Sequence, residues 1–578
     1  MWVQSLGLAV RYLAGLLSGE TVTQALVQLH LDPPAITFSD MAVRRLPMAL
    51  INAASVGWLI ILVYRQFGRT IAVLAAILLS LNPFLLSDSR TMRGDAMMSV
   101  LMTISAITLL IYLTEGRRSY LFLSTLTAAV SFANKFSMLS MAPFVLFMVA
   151  VSVFRQVRPV GWRRSLLVGF ICLVIWGGTN VLLLWLIWPA LWVVPADVLE
   201  LVLAFASSTG LEGRTTFFMG RIYTNEFLPH FYLVLILLRI SPLVLLGLLA
   251  GLFSLRSKTR RLALLEPWLL RQTSDAGANR PDRAVLTAGA LPVYILSVWL
   301  VMTIGVLKRD HYVMPVFPAL DILAAVGLNR LIRAVVDRFS GRRQPAKLAG
   351  IAAALVFLGQ AAISLPHHPY YYSYYNPLVL GPWWVHRVTL INWGPDMGEA
   401  AHFINARPHA DTALVATATA RKFAPQIKGE TVRLVYGDPW IQADYVVIPY
   451  EDVQFPKINP PYFDYVRRQP VLYEINLHGV PFGWVYRGPA ADYFANGKLD
   501  GLGLLLGYNL DPAPLPAGNT RPIKLFWQND GYSQADVFFV RLLNADGYVW
   551  AEALPQPLPG YEAAALTDEA IVESQAEL

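Results

Sequence analysis

The chain has 578 residues, of which 56% are hydrophobic and 15% are charged. Soluble globular proteins average about 45–50% apolar and about 25% charged residues, so this composition excludes a soluble enzyme, a disordered chain and a fibrous repeat. The single cysteine, Cys172, excludes an intrachain disulfide and a cysteine-based metal cluster. The net charge of +8 would suit nucleic acid binding in a soluble protein, but in a membrane protein basic residues concentrate in cytoplasmic loops. No nucleic acid partner is therefore expected.

Long apolar segments fill the chain up to Pro366, and ordinary polarity with strand-like alternation follows. A helix needs about 20 apolar residues to cross the hydrocarbon core of a membrane. The sequence therefore predicts an α-helical polytopic membrane protein with about ten transmembrane helices. The predicted segments are 47–64, 70–87, 96–114, 119–134, 138–154, 165–189, 230–254, 286–307, 313–334 and 347–365.

Basic residues cluster in every second loop between these segments, which marks those loops as cytoplasmic. Loops 88–95, 135–137, 190–229 and 308–312, and everything after Pro366, are then exoplasmic. Residues before the first segment also fall outside, although no helix precedes them, and the short apolar run 3–18 suits an interfacial helix. The predicted regions are an exoplasmic interfacial helix and loop (1–46), a transmembrane domain (47–365), an exoplasmic α/β domain (366–490), and a partial β-sandwich with a tail (491–578).

The C-terminal part alternates in the manner of strands. In residues 395–487, a helix over 396–406 precedes strand-like runs, and 477–481 reads as a hairpin connection between two of them. Residues 500–561 read as a fragment of a β-sandwich. Predicted strands are 413–418, 444–450, 471–476, 482–487, 523–528, 537–543 and 549–552.

Ionisable residues are costly inside a membrane, so those in the exoplasmic loops or within an apolar segment are functional candidates. Cations at one membrane face suit an anionic lipid headgroup, and a carboxylate there could orient or deprotonate a nucleophile. Each also has a structural explanation. Arg90 and Arg93 could extend their charged ends to the membrane interface, and Asp95 could stabilise the dipole of the helix that it begins. Lys135 could be an ordinary loop residue, Arg239 could bind a structural partner, and His311 could be a surface histidine. The candidates are Arg90, Asp95, Lys135, Arg239, Lys308, Arg309, His311 and Tyr312.

Several motifs, in order, resemble glycosyltransferase family 39, the group of protein O-mannosyltransferase-like and aminoarabinose-transferase-like enzymes. Ser89-Arg90 followed by Asp95 resembles the family's Arg-x4-Asp helix entry, and Lys135 lies in a similar x-x-Lys-x-x turn. The segment 308–320 resembles Lys-Lys-x-Asp-Arg-Tyr-Leu-Leu-Pro-x-x-Pro-x-Leu. Further likenesses are Arg44–Leu50, Tyr64–Gly68, Arg239–Leu243, His368–Leu378 and Asn392–Gly394, the last two being similar to the junction in bacterial members with an outer domain.

The resemblance implies a GT-C fold, a polyprenyl-phosphate-linked sugar donor and chemistry at the exoplasmic face of the cell membrane. It implies a phosphate-binding role for Arg90, Lys135, Arg239, Lys308 and Arg309, a catalytic or orienting role for Asp95, and phosphate or acceptor contacts for His311 and Tyr312. His311 stands where the family has arginine, and histidine binds phosphate as a cation only when it is protonated.

The family's first transmembrane helix and acidic pair, usually ahead of the Arg-Leu-Pro element, are not recognised in residues 1–46. The sequence is therefore interpreted as lacking them, and whether this truncated chain is active is left open. Two alternatives stay open: a non-catalytic lipid- or glycan-binding membrane protein, and a transporter. No cofactor is assigned, and use of a divalent metal is left open because the exoplasmic carboxylates and His311 form no recognisable ligand set. The acceptor is a glycan, a lipid or a protein.

Overall fold

The computed structural model describes residues 38–578 except 92, 211–214, 255–279, 340–344, 392–394, 456, 457, 459, 500–502, 515, 517, 531–538 and 563. The predicted interfacial helix at 3–18 lies outside the described residues. Two compact units are formed, a helical one over Ser39–Thr389 and a strand-rich one over Leu390–Leu578. Residues 366–389, which the sequence assigned to the exoplasmic part, belong to the helical unit.

All ten predicted membrane segments are helical. The helices of this unit are α1 (Phe38–Phe67), α2 (Arg69–Ser80), α3 (Pro83–Ser89), α4 (Asp95–Glu115), α5 (Arg118–Asn134), α6 (Ala142–Val160), α7 (Trp162–Ile187), α8 (Ala190–Val193), α9 (Pro195–Gly210), α10 (Phe231–Arg239), α11 (Pro242–Ser254), α12 (Arg280–Ile304), α13 (Phe317–Phe339), α14 (Pro345–Ser364) and α15 (Gly381–Val388). Short 3-10 helices cover Phe136–Met141, Asp310–Val316, Leu365–His367 and Tyr371–Ser373, and a hairpin pairs β1 (Thr215–Phe218) with β2 (Arg221–Thr224).

Six helices of the described chain are long and apolar enough to cross a membrane, and two bent pairs raise the number to eight. The pair α2 and α3 bends by 59°, and the pair α10 and α11 bends by 114°. The predicted membrane protein is thus confirmed, but the segments 70–87 and 230–254 are not straight helices. Arg239 accordingly lies at the end of α10, and its predicted position deep inside one continuous helix is wrong.

Both breaks have the same local cause, which is a capping side chain directly before a proline. The Asn82 side chain accepts hydrogen bonds from the backbone N–H groups of Phe84 and Leu85, at 3.0 and 3.2 Å, and Pro83 begins α3. At the other break, Ser241 Oγ accepts from the Val244 N–H at 3.2 Å, and Pro242 begins α11. Capping residues and an initial proline start a new helix and end the preceding one.

Helix α14 connects the two breaks through one amide side chain. Gln360 Oε1 accepts a hydrogen bond from Ser241 Oγ at 2.9 Å, and Gln360 Nε2 donates to the Leu81 carbonyl at 3.0 Å. Ser364 Oγ donates to the same carbonyl at 2.5 Å. Backbone groups exposed by a helix break are costly in an apolar medium unless they are bonded, so these contacts stabilise both bends.

Charged groups gather at the two ends of α4, which is about 30 Å long at about 1.5 Å per residue. At its C-terminal end, Glu115 lies 2.6 Å from Arg65, 3.6 Å from Arg117 and 3.5 Å from Arg283. At its N-terminal end, Asp95 contacts Lys135. Residues from predicted cytoplasmic loops thus meet at one end, and residues from predicted exoplasmic loops meet at the other.

The strand-rich unit contains two five-stranded sheets. The first is mixed, in the order β4-β3-β5-β7-β6, and the second is antiparallel, in the order β13-β14-β10-β9-β8, while β11 and β12 form a separate pair. The strands are β3 (Leu414–Thr417), β4 (Glu430–Arg433), β5 (Tyr445–Pro449), β6 (Val471–Leu477), β7 (Val480–Arg487), β8 (Tyr493–Leu499), β9 (Gly503–Asn509), β10 (Pro522–Asn529), β11 (Val540–Leu543), β12 (Val549–Ala553), β13 (Gln556–Pro557) and β14 (Ile571–Glu577). Its helices are α16 (Pro395–Asn405), α17 (Ala420–Phe423), α18 (Tyr450–Gln454) and α19 (Pro460–Arg468).

The predicted strand-rich region is confirmed, including the hairpin between β6 and β7. Its turn residues His478 and Gly479 both have positive φ, as a type I′ turn requires. One hydrophobic core contains Ile448 from the first sheet, Phe526 from the second, and Tyr465 from α19. The second sheet therefore buries its face against the α/β layer rather than against a sandwich partner of its own.

Candidate functional site

The N-terminus of α4 holds an ion pair between a buried carboxylate and a half-buried lysine. Asp95, the first residue of α4, is 4% exposed, and its Oδ1 lies 2.5 Å from Lys135 Nζ. Lys135 follows α5 in an extended conformation, and the neighbouring Asn134 Nδ2 donates to the Gly94 carbonyl at 2.6 Å. A Cβ at Gly94 would lie 1.9 Å from Asn134 Oδ1, so a larger residue there would displace the Asn134 side chain. The pairing of Asp95 with Lys135 joins two residues that the sequence singled out.

A second buried carboxylate, which was absent from the predicted site, lies beside this pair. Asp88 is 6% exposed, and its Oδ2 accepts a hydrogen bond from the Ala96 N–H at 2.7 Å. Arg93 is half-buried between the two; burial lowers the pKa of its guanidinium, and the charges of Asp88 and Asp95 oppose that shift. The sequence feature that could have identified Asp88 is the Asn82-Pro83 cap. This cap starts a short helix over 83–89, in which the acidic residue Asp88 is buried.

The 3-10 helix Asp310–Val316 forms the opposite wall. Lys135 Nζ lies 4.8 Å from the centroid of the Tyr312 ring, and the His311 ring contacts Tyr312 edge-on at 4.7 Å. Burial lowers the pKa of His311 below its usual value, although Asp310 opposes the shift. Burial therefore disfavours the charged form of this imidazole, and a histidine binds phosphate as a cation only when it is protonated.

Arg239 is 1% exposed, and both of its Nη atoms are bonded within the protein, whereas its buried Nε has no hydrogen-bond partner among the described residues. Its Nη1 donates to the carbonyls of Tyr372 and Tyr374, each at 2.8 Å, and its Nη2 donates to Asp310 Oδ2 at 3.2 Å and to Tyr375 Oη at 2.9 Å. Burial alone would raise the pKa of Asp310, but His311 and Arg239 together hold it below its usual value. These contacts give Arg239 a structural role, in joining the end of α10 to the 372–375 segment.

Lys308 also has internal partners. Its Nζ donates to the carbonyls of Met302, at 3.2 Å, Thr303, and Gly305, at 2.5 Å, so the ammonium caps the C-terminal end of α12. Burial lowers its pKa to about 8. An ammonium has three N–H donors, and here all three are directed at the helix end.

The two remaining predicted cations are more accessible. Arg90 is exposed, with Nη1 3.1 Å from the Pro369 carbonyl and 3.4 Å from His368 Nδ1. Arg309 is half-buried and precedes the 3-10 helix. Successive contacts therefore link Arg239, Asp310, His311, Tyr312, Lys135 and Asp95. Lys308 is not in this series, because it binds the end of α12, and Arg90 contacts the 368–369 segment instead.

In the described part of the chain, no three His, Cys, Asp or Glu side chains group as metal ligands. The site consists instead of two buried carboxylates, an ammonium, a guanidinium and a tyrosine ring. Such a set can bind a phosphate through its cations and a hydroxyl group through its carboxylates.

Comparison with solved structures finds distant similarities. ArnT from Cupriavidus metallidurans bound to undecaprenyl phosphate has 13% identity and a TM-score of 0.41, with 77% of this chain and 84% of that chain covered. The apo form of the same protein has 14% identity and a TM-score of 0.38, with 77% and 83% covered. The Archaeoglobus fulgidus oligosaccharyltransferase in complex with Zn and sulfate has 12% identity and a TM-score of 0.36, with 77% and 61% covered. No curated protein matches the chain.

The family comparison concerns the N-terminal half of the helical unit. Residues 35–188 match the profile of a family described as dolichyl-phosphate-mannose-protein mannosyltransferase. This segment contains Asp88, Arg93, Asp95 and Lys135. The match confirms, over residues 35–188, the resemblance to the mannosyltransferase-like glycosyltransferases that the sequence motifs indicated.

Proposed function

We propose that this protein is a membrane glycosyltransferase that moves a sugar from a polyprenyl-phosphate-sugar donor to an acceptor at the exoplasmic face. The observation that carries the proposal is the pairing of the buried Asp95 with the half-buried Lys135, with Asp88 beside it, inside the segment that matches the family. The proposed donor has a lipid of the class bound in the ArnT crystal structure.

The reaction follows from the charges of the site. An acceptor hydroxyl attacks the anomeric carbon, the bond from that carbon to the phosphate oxygen breaks, and the polyprenyl phosphate leaves with the bonding electrons. Negative charge grows on the leaving phosphate, so a cation placed there stabilises the transition state more than the ground state. Lys135 and Arg93 lie beside Asp95 and Asp88, and we assign them to the leaving phosphate. Arg90 and Arg309 are more accessible cations that could also contact it.

The two carboxylates, Asp95 and Asp88, contact the acceptor. Asp95 orients the acceptor hydroxyl through the oxygen that does not face Lys135, and Asp88 is a second acceptor for its proton. Inversion at the anomeric carbon is implied by the family resemblance. Tyr312 holds Lys135 through its ring. Arg239, which binds Asp310, and Lys308, which binds the end of α12, are positioning residues for the 305–312 segment, and His311 completes the wall.

The exoplasmic assignment rests on two observations. Basic residues cluster in alternate loops, and the site lies at the end of α4 opposite to the Glu115 cluster of arginines. The C-terminal unit follows the last predicted membrane segment and is accordingly proposed to be exoplasmic.

Transfer of a radiolabelled sugar from polyprenyl phosphate by membranes containing the full-length protein tests the proposal. Asp95→Asn removes the charge of the carboxylate, and we expect the rate to fall by roughly 10²–10⁴-fold, the usual range for a proton-transfer group. Asp197→Asn is the matched control, because Asp197 is an exposed carboxylate in the 190–229 loop.

One result would change the site, and two would favour other functions. Undiminished transfer by correctly inserted Asp95→Asn protein would remove Asp95 from the site. Donor binding without transfer by the unaltered protein would indicate the non-catalytic lipid- or glycan-binding alternative. Movement of the intact donor across the membrane without sugar release would indicate a transporter.

A further inference from the structure

The C-terminal unit contains a cleft of about 630 Å³ that is separate from the membrane site. This volume lies within the range of about 300–1,000 Å³ typical of small-ligand sites. The cleft is formed at one end of strands β5, β6 and β7 of the mixed sheet, next to Lys524 and Glu573 of the second sheet. Its polar and aromatic lining comprises Arg407, Asp444, Tyr445, Gln469, Arg487, Lys524 and Glu573.

The lining has a net positive charge, because three cations (Arg407, Arg487 and Lys524) face two carboxylates (Asp444 and Glu573). Glu573 Oε2 lies 2.6 Å from Lys524 Nζ, and its Oε1 accepts from Tyr465 Oη at 2.6 Å. Burial alone would raise the pKa of Glu573, but these partners hold it below its usual value, so it stays ionised and paired with the lysine. Asp444 Oδ2 accepts the Leu414 N–H at 2.8 Å, which ties that carboxylate to β3.

Two guanidinium groups then remain for a ligand. Arg487 and Arg407 are both exposed, and neither forms an ion pair within the described part of the chain. Arg407 rests over the Phe403 ring at 4.2 Å, which fixes its stem and leaves its N–H edge accessible. A planar guanidinium binds carboxylate or phosphate through two parallel hydrogen bonds.

The walls beside these cations suit a sugar ring. Tyr445 and Arg487 are directly paired across β5 and β7, so their side chains lie on the same face of the sheet. Gln469 Nε2 donates to Tyr561 Oη at 2.9 Å and to Glu573 Oε1 at 3.2 Å, which leaves the amide oxygen to accept a hydroxyl group. An aromatic ring, an amide oxygen and two guanidinium groups together match a polar ring that has both hydroxyls and a negative charge.

We propose that this cleft binds a carbohydrate that bears an anionic group, either a carboxylate or a phosphate. The volume argues for a ligand the size of one or more sugar rings rather than a bare anion. Arg487 and Arg407 bind the charged group, and Tyr445 and Gln469 contact the ring. The proposal concerns a binding site in the C-terminal unit, and it stands independently of the transfer reaction.

Titration of the full-length protein in detergent with small sugars tests the proposal, with binding followed by calorimetry and by ligand-observed NMR. The probes are galacturonate, galactose 6-phosphate, galactose and inorganic phosphate. At least one of the two anionic sugars is expected to bind roughly tenfold more tightly than galactose, which corresponds to about 1.4 kcal/mol for the charged group. Whichever of galacturonate and galactose 6-phosphate binds more tightly shows whether the cleft prefers a carboxylate or a phosphate.

Arg487→Gln is expected to weaken binding of the preferred sugar by roughly tenfold, and Arg407→Gln is expected to act in the same direction. Arg421→Gln is the matched control, because Arg421 is an exposed arginine of the same unit outside the cleft, and it should leave binding unchanged. The exposed positions of all three arginines keep the fold intact.

The proposal is overturned if neither anionic sugar binds better than galactose, or if Arg487→Gln and Arg407→Gln bind like the unaltered protein. It is also overturned if inorganic phosphate binds as tightly as either sugar, because the ring contacts would then contribute nothing. A loss of sugar transfer without a loss of this binding would count against the membrane site alone.

Discussion

Removal of the Arg239 guanidinium isolates the structural role that its contacts indicate. Arg239→Met retains an apolar side chain of similar length but leaves Asp310, which is 7% exposed, without its cationic partner. Loss of one member of a buried ion pair costs about 3–5 kcal/mol, because the other charge stays buried. We expect the free energy of unfolding, measured reversibly in mixed detergent micelles, to fall by that amount.

Rescue by a second substitution separates this explanation from a loss of packing. In Arg239→Met/Asp310→Asn the unpaired charge is gone, so the double variant should recover at least about 1 kcal/mol relative to the single variant. Arg90→Met is the control, because an exposed substitution usually changes stability by about 0.5 kcal/mol or less. Arg239→Met protein as stable as the Arg90→Met control would refute the reasoning. A loss of donor-lipid affinity in fully folded Arg239→Met protein would indicate that Arg239 contacts the donor phosphate directly.

Two further predictions concern packing and pH. A Cβ at Gly327 would lie 1.8 Å from a facing backbone carbonyl oxygen of α11, so Gly327→Ala should lower the free energy of unfolding by about 1–3 kcal/mol in the same assay. Gly350→Ala is the control and should lower it by nothing, because a Cβ there meets no atom within 4 Å. Equal stabilities of the two variants would contradict the close approach of α11 and α13. Because the folded-state pKa of Glu573 lies below its usual 4.5, its contribution to stability is complete above pH 4.5 and is lost as the pH falls through the folded-state pKa. Glu573→Gln should therefore flatten the acid side of the stability profile of the C-terminal unit, followed by tryptophan fluorescence, and the exposed Glu430→Gln should leave it unchanged. An unaltered profile in Glu573→Gln would contradict the pairing with Lys524.

Hydropathy located ten helical segments, because membrane helices require long apolar segments. Of these, six are long and apolar enough to cross a membrane in the described part of the chain, or eight if each bent pair is one span. It did not show the bends after residues 80 and 239, since a capped break does not lower the apolar content of a segment. The local chemistry was nevertheless readable, because Asn82-Pro83 and Ser241-Pro242 both place a capping residue before proline. Such pairs inside an apolar run therefore deserve treatment as helix ends.

Charge positions in the loops predicted which ionisable residues would meet, but not what each would bind. Asp95 and Lys135 come together as loop placement suggested. Arg239 and Lys308 find backbone carbonyls instead, and those carbonyls belong to the 372–374 segment and to the end of α12. Whether a cation faces a ligand or a carbonyl depends on tertiary packing, which no local sequence pattern specifies.

The central claim is that Lys135 and its neighbours hold the phosphate of a polyprenyl donor at the end of α4. A cryo-electron microscopy structure of the full-length protein with bound polyprenyl phosphate tests it most directly. The account predicts a phosphate oxygen about 2.7–2.9 Å from Lys135 Nζ, as in a charge-assisted hydrogen bond, with Arg93 close by. A phosphate bound away from Asp95 and Lys135, for example beside the arginines around Glu115, would contradict it.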